Sequence, residues 1–216
     1  MLNHEQLLRL IRDRMEHPAT VRELQQRLKI PREERGTLRR LLKVLTRRGD
    51  LIETRGSRYG LPHLMNLVVG RVTIHPRGFG FVAPERGTVP VRAEVRSGGR
   101  QKSLRKNEKP ERGTVPGFEG DLYIAGNNLN QAMHGDRVVA RVERIGTDGR
   151  AEGRILRILE RAASTIVGRF DVDENGYGFV VPFDRRLIMD VEVPDGEQAD
   201  AEPGQMVLVE ITRWPT

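Results

Sequence analysis

The chain of 216 residues contains no cysteine, a single tryptophan and only 5% aromatic residues. Without cysteine it can form no disulfide, no thiolate metal site and no cysteine nucleophile. It also contains no run of about 18 apolar residues, so no membrane partner is expected. The first residues lack the charged and apolar blocks of a secretory signal. Together these absences predict a cytoplasmic protein.

The charge of the chain changes sign along its length. Lysine and arginine number 37 against 30 acidic residues, a net charge of +7. Counted by segment, residues 1–64 carry +7, residues 65–160 carry +6 and residues 161–216 carry −6. A basic front of this kind indicates a polyanionic partner. Because the hydrophobic pattern changes at the same boundaries, we expect three domains with these limits.

The first segment has the periodicity of three helices followed by a hairpin. Asn3 precedes an apolar stripe as an N-cap, and Thr20 opens a capping box. A third apolar stripe covers residues 38–45 and ends before Gly49, which is a helix stop. Residues 51–61 then alternate as two short strands. The segment is therefore predicted to be a small α+β domain.

This order of elements resembles the winged helix-turn-helix family, in which the third helix often contacts nucleic acid. The predicted third helix is basic opposite its apolar stripe, and another arginine lies in the wing. These candidate phosphate contacts are Arg39, Arg40, Lys43, Arg47, Arg48 and Arg58. Three interpretations stay open for them: contact with the duplex part of a nucleic acid, an ordinary solvated helix face, or a face that docks against protein.

From residue 65 onward the sequence alternates as in strands and repeats itself. Residues 70–84 align with residues 168–182 at an offset of 98, and seven of the 15 positions are identical. Two later matches have an offset of 69, namely 121–124 with 190–193 and 135–138 with 204–207. Short strands punctuated by glycine predict a small all-β barrel for each copy.

The two copies differ in an insertion and in their last strand. The first copy holds 29 extra residues between Pro84 and Asp121. Most of this region, residues 85–116, is a polar stretch with a net charge of +5 that is predicted to be a mobile loop. Its closing strand is expected over 153–159. The offset of 69 places the counterpart near position 222, so the second barrel is expected to lack its last strand.

The most informative part of the repeat is its pattern of alternating glycine and aromatic residues. In a strand, Phe79 and Phe81 project from one face, as do Tyr177 and Phe179. Beside basic groups, such aromatics can stack unpaired bases, each contributing roughly 1–3 kcal/mol. The alternative is that the rings belong to the barrel core and that the glycines only let the strands bend.

Both copies resemble cold-shock domains of the OB-fold class. Residues 77–82 fit the family's basic-Gly-aromatic-Gly-aromatic-aliphatic RNA-binding motif at every position. The resemblance implies that bases stack on Phe79, Phe81 and Tyr123, with Tyr177 and Phe179 as the second-copy equivalents. Phosphate contacts are expected from Arg71, Arg77, Arg137 and the basic insertion.

The second copy departs from the motif in two places. Asn175 replaces the cation, and Glu192 stands where the first copy has Tyr123. Because this segment is also acidic, we expect it to bind RNA more poorly than the first copy. It would instead dock against protein or bind through local groups such as Arg185 and Arg186.

The whole arrangement resembles the N-terminal region of the bacterial ribonuclease R family, most closely over residues 121–138 and 181–186. The resemblance implies a processive 3′-to-5′ exoribonuclease able to degrade structured RNA, with Mg²⁺ held by an aspartate cluster. In that family the catalytic domain follows the second barrel, and this chain contains no such segment. By resemblance, then, Mg²⁺ belongs to the absent domain and the chain itself needs no cofactor.

No catalytic or metal-binding residue is predicted within the chain itself. The five histidines lack metal-ligand spacing, and His134 has no nucleophile beside it. We therefore expect an RNA-binding region that captures single-stranded or structured RNA and feeds it to a downstream catalytic domain. The alternatives are a stand-alone RNA chaperone and a winged-helix regulator that binds DNA.

Overall fold

A computed structural model describes residues 2–54, 56–85, 118 and 120–214. Its N-terminal unit contains three α-helices and a small antiparallel sheet. The helices are α1 (His4–Arg14), α2 (Val21–Leu28) and α3 (Arg35–Arg48). The sheet has the order β1-β3-β2, with β1 at Ala19–Thr20, β2 at Ile52–Thr54 and β3 at Arg58–Gly60. Among the described helices, none is long and apolar enough to cross a membrane.

Local side-chain chemistry sets the ends of these helices. The Asn3 side chain accepts a hydrogen bond from the Gln6 backbone N–H at 2.8 Å. Thr20 and Glu23 exchange reciprocal bonds of 3.3 and 2.8 Å, which satisfy donors that the first turn of α2 leaves free. Gly49 ends α3 with a φ of +77°. The two predicted caps and the predicted stop are confirmed.

The apolar stripes of the helices meet in one core. Each helix contributes fully buried leucines or isoleucines at spacings of three or four residues, and β2, β3 and their flanks cover the remaining side. The side chains with the least exposure in this core are Leu7, Leu24, Leu38, Leu42, Leu45 and Leu51. Because the buried positions of α3 alternate with exposed cations, the helix keeps one face open to solvent.

The next unit is a closed five-stranded barrel. Its strands are β4 (Leu67–Ile74), β5 (Gly80–Pro84), β6 (Leu122–Ile124), β7 (Arg137–Ile145) and β8 (Ala151–Glu160). They follow one another around the barrel in the order β4-β5-β6-β8-β7. Only the β6–β8 pairing is parallel. The closing strand expected over 153–159 is confirmed as β8. The insertion expected at 85–116 lies outside the described residues, apart from Glu85.

The last unit repeats this architecture over four strands in the described part of the chain. These are β9 (Thr165–Val172), β10 (Gly178–Pro182), β11 (Val191–Val193) and β12 (Met206–Glu210). Strands β9 and β10 begin 98 residues after β4 and β5, while β11 and β12 begin 69 residues after β6 and β7. The sequence repeat is therefore a structural repeat.

The second sheet is open, with the order β11-β10-β9-β12. Its interior is correspondingly thin, since the large apolar side chains that it buries are Ile166, Phe170 and Val180. In contrast, Met206 on the edge strand β12 is 73% exposed. An open edge with apolar side chains of this kind can pair with further chain.

One pair of equivalent glycines shows why the repeat keeps its pattern. A side chain at Gly70 would overlap the carbonyl oxygen of Ala83 on the neighbouring strand. A side chain at Gly168 would overlap the carbonyl of Val181 in the same way. Only glycine lets β4 approach β5, and β9 approach β10, this closely.

Apolar contacts join the helical unit to the first barrel. Ile52 of β2 packs in one buried cluster with Leu67, Val69 and Val139 of the barrel. Gly49 lies at this junction, because an added Cβ there would sit 2.7 Å from a methyl carbon of Leu159.

A buried carboxylate joins the first barrel to the second unit. Asp136 is 1% exposed and accepts hydrogen bonds from the backbone N–H of Met133 at 2.8 Å and of Ala162 at 2.9 Å. It also accepts from Nη1 of Arg161 at 2.9 Å. The guanidinium carbon of Arg161 in turn lies 4.1 Å from the ring centroid of Trp214. The start of β7 is thus linked to the far end of the second unit.

Two glycines have similar backbone angles but different surroundings, so substituting each of them distinguishes the cost of backbone strain from the cost of overpacking. Gly56 has a φ of +79° and open space around it, whereas Gly49 has a φ of +77° and a filled junction. We expect Gly56→Ala to lower the free energy of unfolding by about 1 kcal/mol, from backbone strain alone. Gly49→Ala should lower it by at least about 1 kcal/mol more, because the methyl group overpacks the junction. Urea denaturation of the two variants would compare them, and equal losses would contradict this account of the junction.

Candidate nucleic-acid interface

Four rings meet on the outer face of the first barrel, beside the turn between β4 and β5. Phe81 pairs in register with Tyr123 of β6, and their ring centroids are 5.7 Å apart. Phe79 lies 5.7 Å from Phe81 and 5.8 Å from Tyr123. The His75 ring stacks on Phe79 at 4.5 Å with an angle of 8° between the planes. We call His75, Phe79, Phe81 and Tyr123 the aromatic platform.

The platform faces away from the core. Phe81 is 36% exposed, while its neighbours Gly80 and Val82 in β5 are buried. His75 is exposed, and Phe79 and Tyr123 are half-buried. This exposure disfavours the alternative in which the rings belong to the barrel core. It leaves ring faces open to a flat ligand such as a nucleic-acid base.

The turn before β5 brings the rings together. Its ends are tied by the His75 N–H, which donates to the Phe79 carbonyl at 2.7 Å, and by the Gly78 N–H, which donates to the His75 carbonyl at 2.9 Å. The Arg77 N–H donates to His75 Nδ1 at 3.2 Å, which orients the ring. Phe79 therefore lies in the turn, one residue before β5, and not within a strand as the alternating pattern predicted.

His75 is a platform residue that sequence reasoning did not single out. The histidines were considered there only as metal ligands or as catalytic groups. The available signal was its position four residues before Phe79, across a glycine-containing turn. A tight turn places such residues opposite one another.

The cations around the platform differ in their exposure and in the hydrogen bonds that they already make within the protein. Arg77 is exposed in the turn. Arg71 is exposed on β4, and its Nη1 donates to the Gly135 carbonyl at 3.1 Å. Arg137 is only 18% exposed, and its Nε and Nη2 donate to the two carboxylate oxygens of Glu85 at 2.7 Å each. Of the three, Arg137 is the least available to a phosphate.

The Glu85–Arg137 pair is electrostatically strong. Hydrogen bonds from Arg137, and then its charge and that of Arg71, hold the pKa of the Glu85 carboxyl below its usual value, although burial opposes them. The hydrogen bonds to Glu85 likewise raise the pKa of Arg137. Two parallel N–H···O bonds of this kind fix both side chains.

The equivalent position in the second unit is acidic. Tyr177 is 61% exposed, and Phe179 of β10 pairs in register with Asp171 on one side and Glu192 on the other. Asp173 occupies the place of His75, and its carboxylate accepts from the Tyr177 backbone N–H at 2.8 Å. Tyr177 and Phe179 are therefore surrounded by carboxylates that would repel a phosphate backbone.

The predicted cations of the helical unit divide into two groups. Arg48 lies 3.3 Å from a carboxylate oxygen of Asp50. Arg58 donates to the Pro18 carbonyl at 2.9 Å and to Glu23 at 3.2 Å, so it ties β3 to the start of α2. The other predicted cations are exposed on α3 and form the face that is open to a ligand, which comprises Arg39, Arg40, Lys43 and Arg47.

Two stretches of the chain match known protein families. Residues 114–158 match the ribonuclease B OB domain, and residues 179–216 match the cold shock domain. Ribonuclease R of Acidithiobacillus ferrooxidans is 35% identical over 92% of this chain, and that of Escherichia coli K12 is 35% identical over 93%. The chain is similar to the N-terminal region of ribonuclease R. The resemblance inferred from the sequence is thus confirmed.

The chain spans only part of the ribonuclease R relatives that it matches. It covers 38% of the Acidithiobacillus ferrooxidans protein and 21% of the Escherichia coli protein. The solved structure of Mycoplasma genitalium RNase R in complex with ribose methylated single-stranded RNA aligns with 53% of this chain and 14% of that chain. Its TM-score is 0.36 and its sequence identity is 18%.

The Glu85–Arg137 pair predicts a pH-dependent contribution to stability in this ribonuclease R-like region. The folded state holds the pKa of Glu85 below its unfolded value, so the stabilisation is present above about pH 4.3 and is lost as the pH falls through the lowered pKa. Glu85→Gln should therefore lower the free energy of unfolding by about 1 kcal/mol at pH 7 and by less at pH 3. Urea titrations at the two pH values would measure this.

The pair of Glu152 with Arg144 supplies a matched control, because it has a 2.8 Å contact but its arginine is 71% exposed, whereas Arg137 is 18% exposed. Glu152→Gln should change stability by less than Glu85→Gln at pH 7. An equal loss in the two variants, or a loss for Glu85→Gln that does not depend on pH, would contradict the interpretation.

Proposed function

We propose that this chain is the RNA-binding region of a ribonuclease R-type 3′-to-5′ exoribonuclease. It would capture single-stranded or structured RNA and pass it to a downstream catalytic domain. The observation that carries the proposal is the aromatic platform, an open group of four rings with Arg71 and Arg77 close to it in the chain. Rings bind bases by stacking, while guanidinium groups bind phosphates, so the two together suit an unpaired strand.

The platform suits binding that does not depend on base sequence. Every base has a π-face, so stacking on Phe79, Phe81, Tyr123 and His75 needs no particular hydrogen-bond pattern. Processive degradation requires this tolerance, because the enzyme has to hold each part of an RNA in turn. Phosphate contacts from the neighbouring arginines would make the affinity salt-dependent.

We further propose three domains: a winged helix at 1–64, a first OB barrel at 65–160 and a second one at 161–216. The three helices, the small sheet β1-β3-β2 and the exposed cations of α3 support the winged helix. Its α3 would contact the duplex part of a structured RNA or a partner protein. The two repeats would then have different roles, because the first barrel would stack bases strongly and the second barrel is acidic.

The chemistry of cleavage is assigned to the domain that follows in ribonuclease R relatives. Hydrolysis there would use Mg²⁺, as the resemblance implies. Among the described residues, no three histidine or carboxylate side chains converge as metal ligands would. We propose that this chain binds RNA in the cytoplasm without shortening it by itself. Incubation with RNA and Mg²⁺ would test this, and stepwise shortening from the 3′ end would overturn it.

Two matched double variants test whether the platform rings stack on RNA bases. Phe79→Ala with Phe81→Ala removes two rings of the platform, and we expect the affinity for single-stranded RNA to fall at least about tenfold. Tyr177→Ala with Phe179→Ala removes the equivalent rings of the second unit and should change the affinity by less than about threefold. Fluorescence anisotropy with a labelled oligonucleotide at a stated salt concentration would measure both.

These results would also separate the proposal from its alternatives. Unchanged affinity in the Phe79/Phe81 variant would contradict stacking on the first barrel. A preference of the unmodified chain for duplex DNA over single-stranded RNA, measured by competition, would favour the DNA-binding regulator. Tight RNA binding by a protein whose gene encodes no catalytic domain would favour the RNA chaperone.

The α3 face has a test of its own. Changing Arg39, Arg40 and Lys43 together to alanine should weaken binding to an RNA hairpin with a single-stranded tail more than binding to the tail alone. The salt dependence for the hairpin should fall, since each lost phosphate contact reduces the slope of log K against log salt by about 0.9. The exposed cations Arg9, Arg12 and Arg14 of α1 provide a charge-matched control. Equal effects of the two triple variants would contradict a specific role for α3.

A further inference from the structure

A contact from the second unit reaches the base of the aromatic platform. Arg186 lies between β10 and β11, and its Nη1 is 2.9 Å from Nε2 of His134 in the first barrel. The other ring nitrogen of His134, Nδ1, lies 3.2 Å from the backbone N–H of Ile74. Ile74 is the last residue of β4, and it directly precedes the platform residue His75. Arg186 is therefore two contacts away from a ring that would stack on RNA.

Asp184 holds Arg186 in the orientation that the contact needs. Nε of Arg186 donates to both carboxylate oxygens of Asp184, at 2.9 and 3.2 Å, and Nη2 donates to Oδ2 at 2.8 Å. The Arg186 backbone N–H adds a bond to Oδ1 at 3.0 Å. These bonds lower the pKa of Asp184 to about 2, so the carboxylate is charged at neutral pH. The remaining nitrogen, Nη1, is the one that faces His134.

His134 takes part in this contact as a neutral ring. Burial, followed by the charge of Arg186, lowers its pKa, while Asp184 acts in the opposite direction. A protonated ring would direct an N–H at both Ile74 and Arg186, which are themselves donors, so the geometry disfavours the cation. A neutral ring has one lone pair, so with the Ile74 N–H donating to Nδ1 the hydrogen lies on Nε2, and Arg186 touches the ring by close packing and not by a hydrogen bond.

We propose that Arg186 is a positioning residue for RNA binding, which braces the turn of the aromatic platform through His134 and Ile74 without contacting RNA. The inference rests on the proposed function, because it assigns the second unit a part in binding at the first. It gives that acidic unit a role that needs no RNA contact of its own. The carboxylate of Asp184 offsets the charge of Arg186, so a phosphate would gain little from it.

The first experiment separates position from charge at Arg186. Arg186→Ala and Arg186→Lys should both weaken binding of a single-stranded oligonucleotide, by roughly three- to tenfold, because lysine keeps the charge but lacks the planar fork. The slope of log K against log salt should stay unchanged. Arg213→Ala removes another exposed cation of the same unit and should alter affinity by less than about twofold.

Either of two results would overturn the proposal. Full affinity in Arg186→Lys would show that charge alone matters. A salt slope reduced by about one in Arg186→Ala would show a direct phosphate contact. Thermal unfolding of each variant would accompany the titrations. Should Arg186→Ala fail to fold, Arg186→Lys and the carboxylate variants described next decide the question.

The second experiment uses a change for which charge and position predict opposite signs. Asp184→Asn removes a negative charge near a polyanion, so electrostatics alone would tighten RNA binding. If Asp184 positions Arg186, the same variant should weaken binding by roughly three- to tenfold. Asp190→Asn removes an exposed acid from the same unit and should tighten binding slightly. Tighter RNA binding by Asp184→Asn would contradict the proposal.

A measurement without RNA distinguishes failure of the inference from failure of the proposed function. Arg186→Ala removes a cation next to His134, so NMR titration should show a higher pKa for that ring, and the amide signals of Ile74 and His75 should shift. If neither change occurs, the bracing contact is contradicted, whatever the RNA affinities of the variants are. If Phe79→Ala with Phe81→Ala weakens binding but the Arg186 and Asp184 variants do not, the positioning role fails and the stacking function stands.

Discussion

The parallel pairing of β6 with β8 is the contact on which the candidate RNA surface depends. It joins Tyr123 and Ile124 to Glu152 and Gly153, closes the first barrel and so fixes β6 against β5. Because β6 is only three residues long, its position comes from its two neighbours and not from its own stability. The ring of Tyr123 stands opposite Phe81 for this reason. In the second unit the described strands leave the sheet open, and Glu192 occupies the matching place.

Charge in this molecule is organised by pairing as much as by composition. The first barrel and helical unit are rich in arginine, but carboxylates engage Arg137, Arg58 and Arg48. Among the predicted phosphate contacts, Arg77 of the β4–β5 turn and the four cations of the α3 face stay exposed. Of these predicted contacts, the ones at the turn and on α3 would therefore attract a polyanion more strongly than those already held by carboxylates.

Much of the site could be read from the repeat. The motif at residues 77–82 pointed to Phe79 and Phe81, and strand alignment across the two copies brought in Tyr123. His75 was missed because its role depends on the conformation of a turn. The ion pair of Arg137 with Glu85 joins residues 52 positions apart in the sequence, and the ion pair of Arg58 with Glu23 joins residues 35 positions apart. Such distant pairs leave no local pattern, so composition overstated the number of available cations.

The sequence by itself determined the local elements: caps at Asn3 and Thr20, a stop at Gly49, and strands that begin at the offsets of the repeat. These depend on short-range chemistry and on periodicity, which a single chain displays directly. Tertiary structure alone decided which side chains meet. The stacking of His75 on Phe79 and the contact of Arg186 with His134 both need a turn or a junction between units to bring remote atoms within a few ångströms. Neither spacing nor composition encodes that distance, because packing of the whole fold sets it.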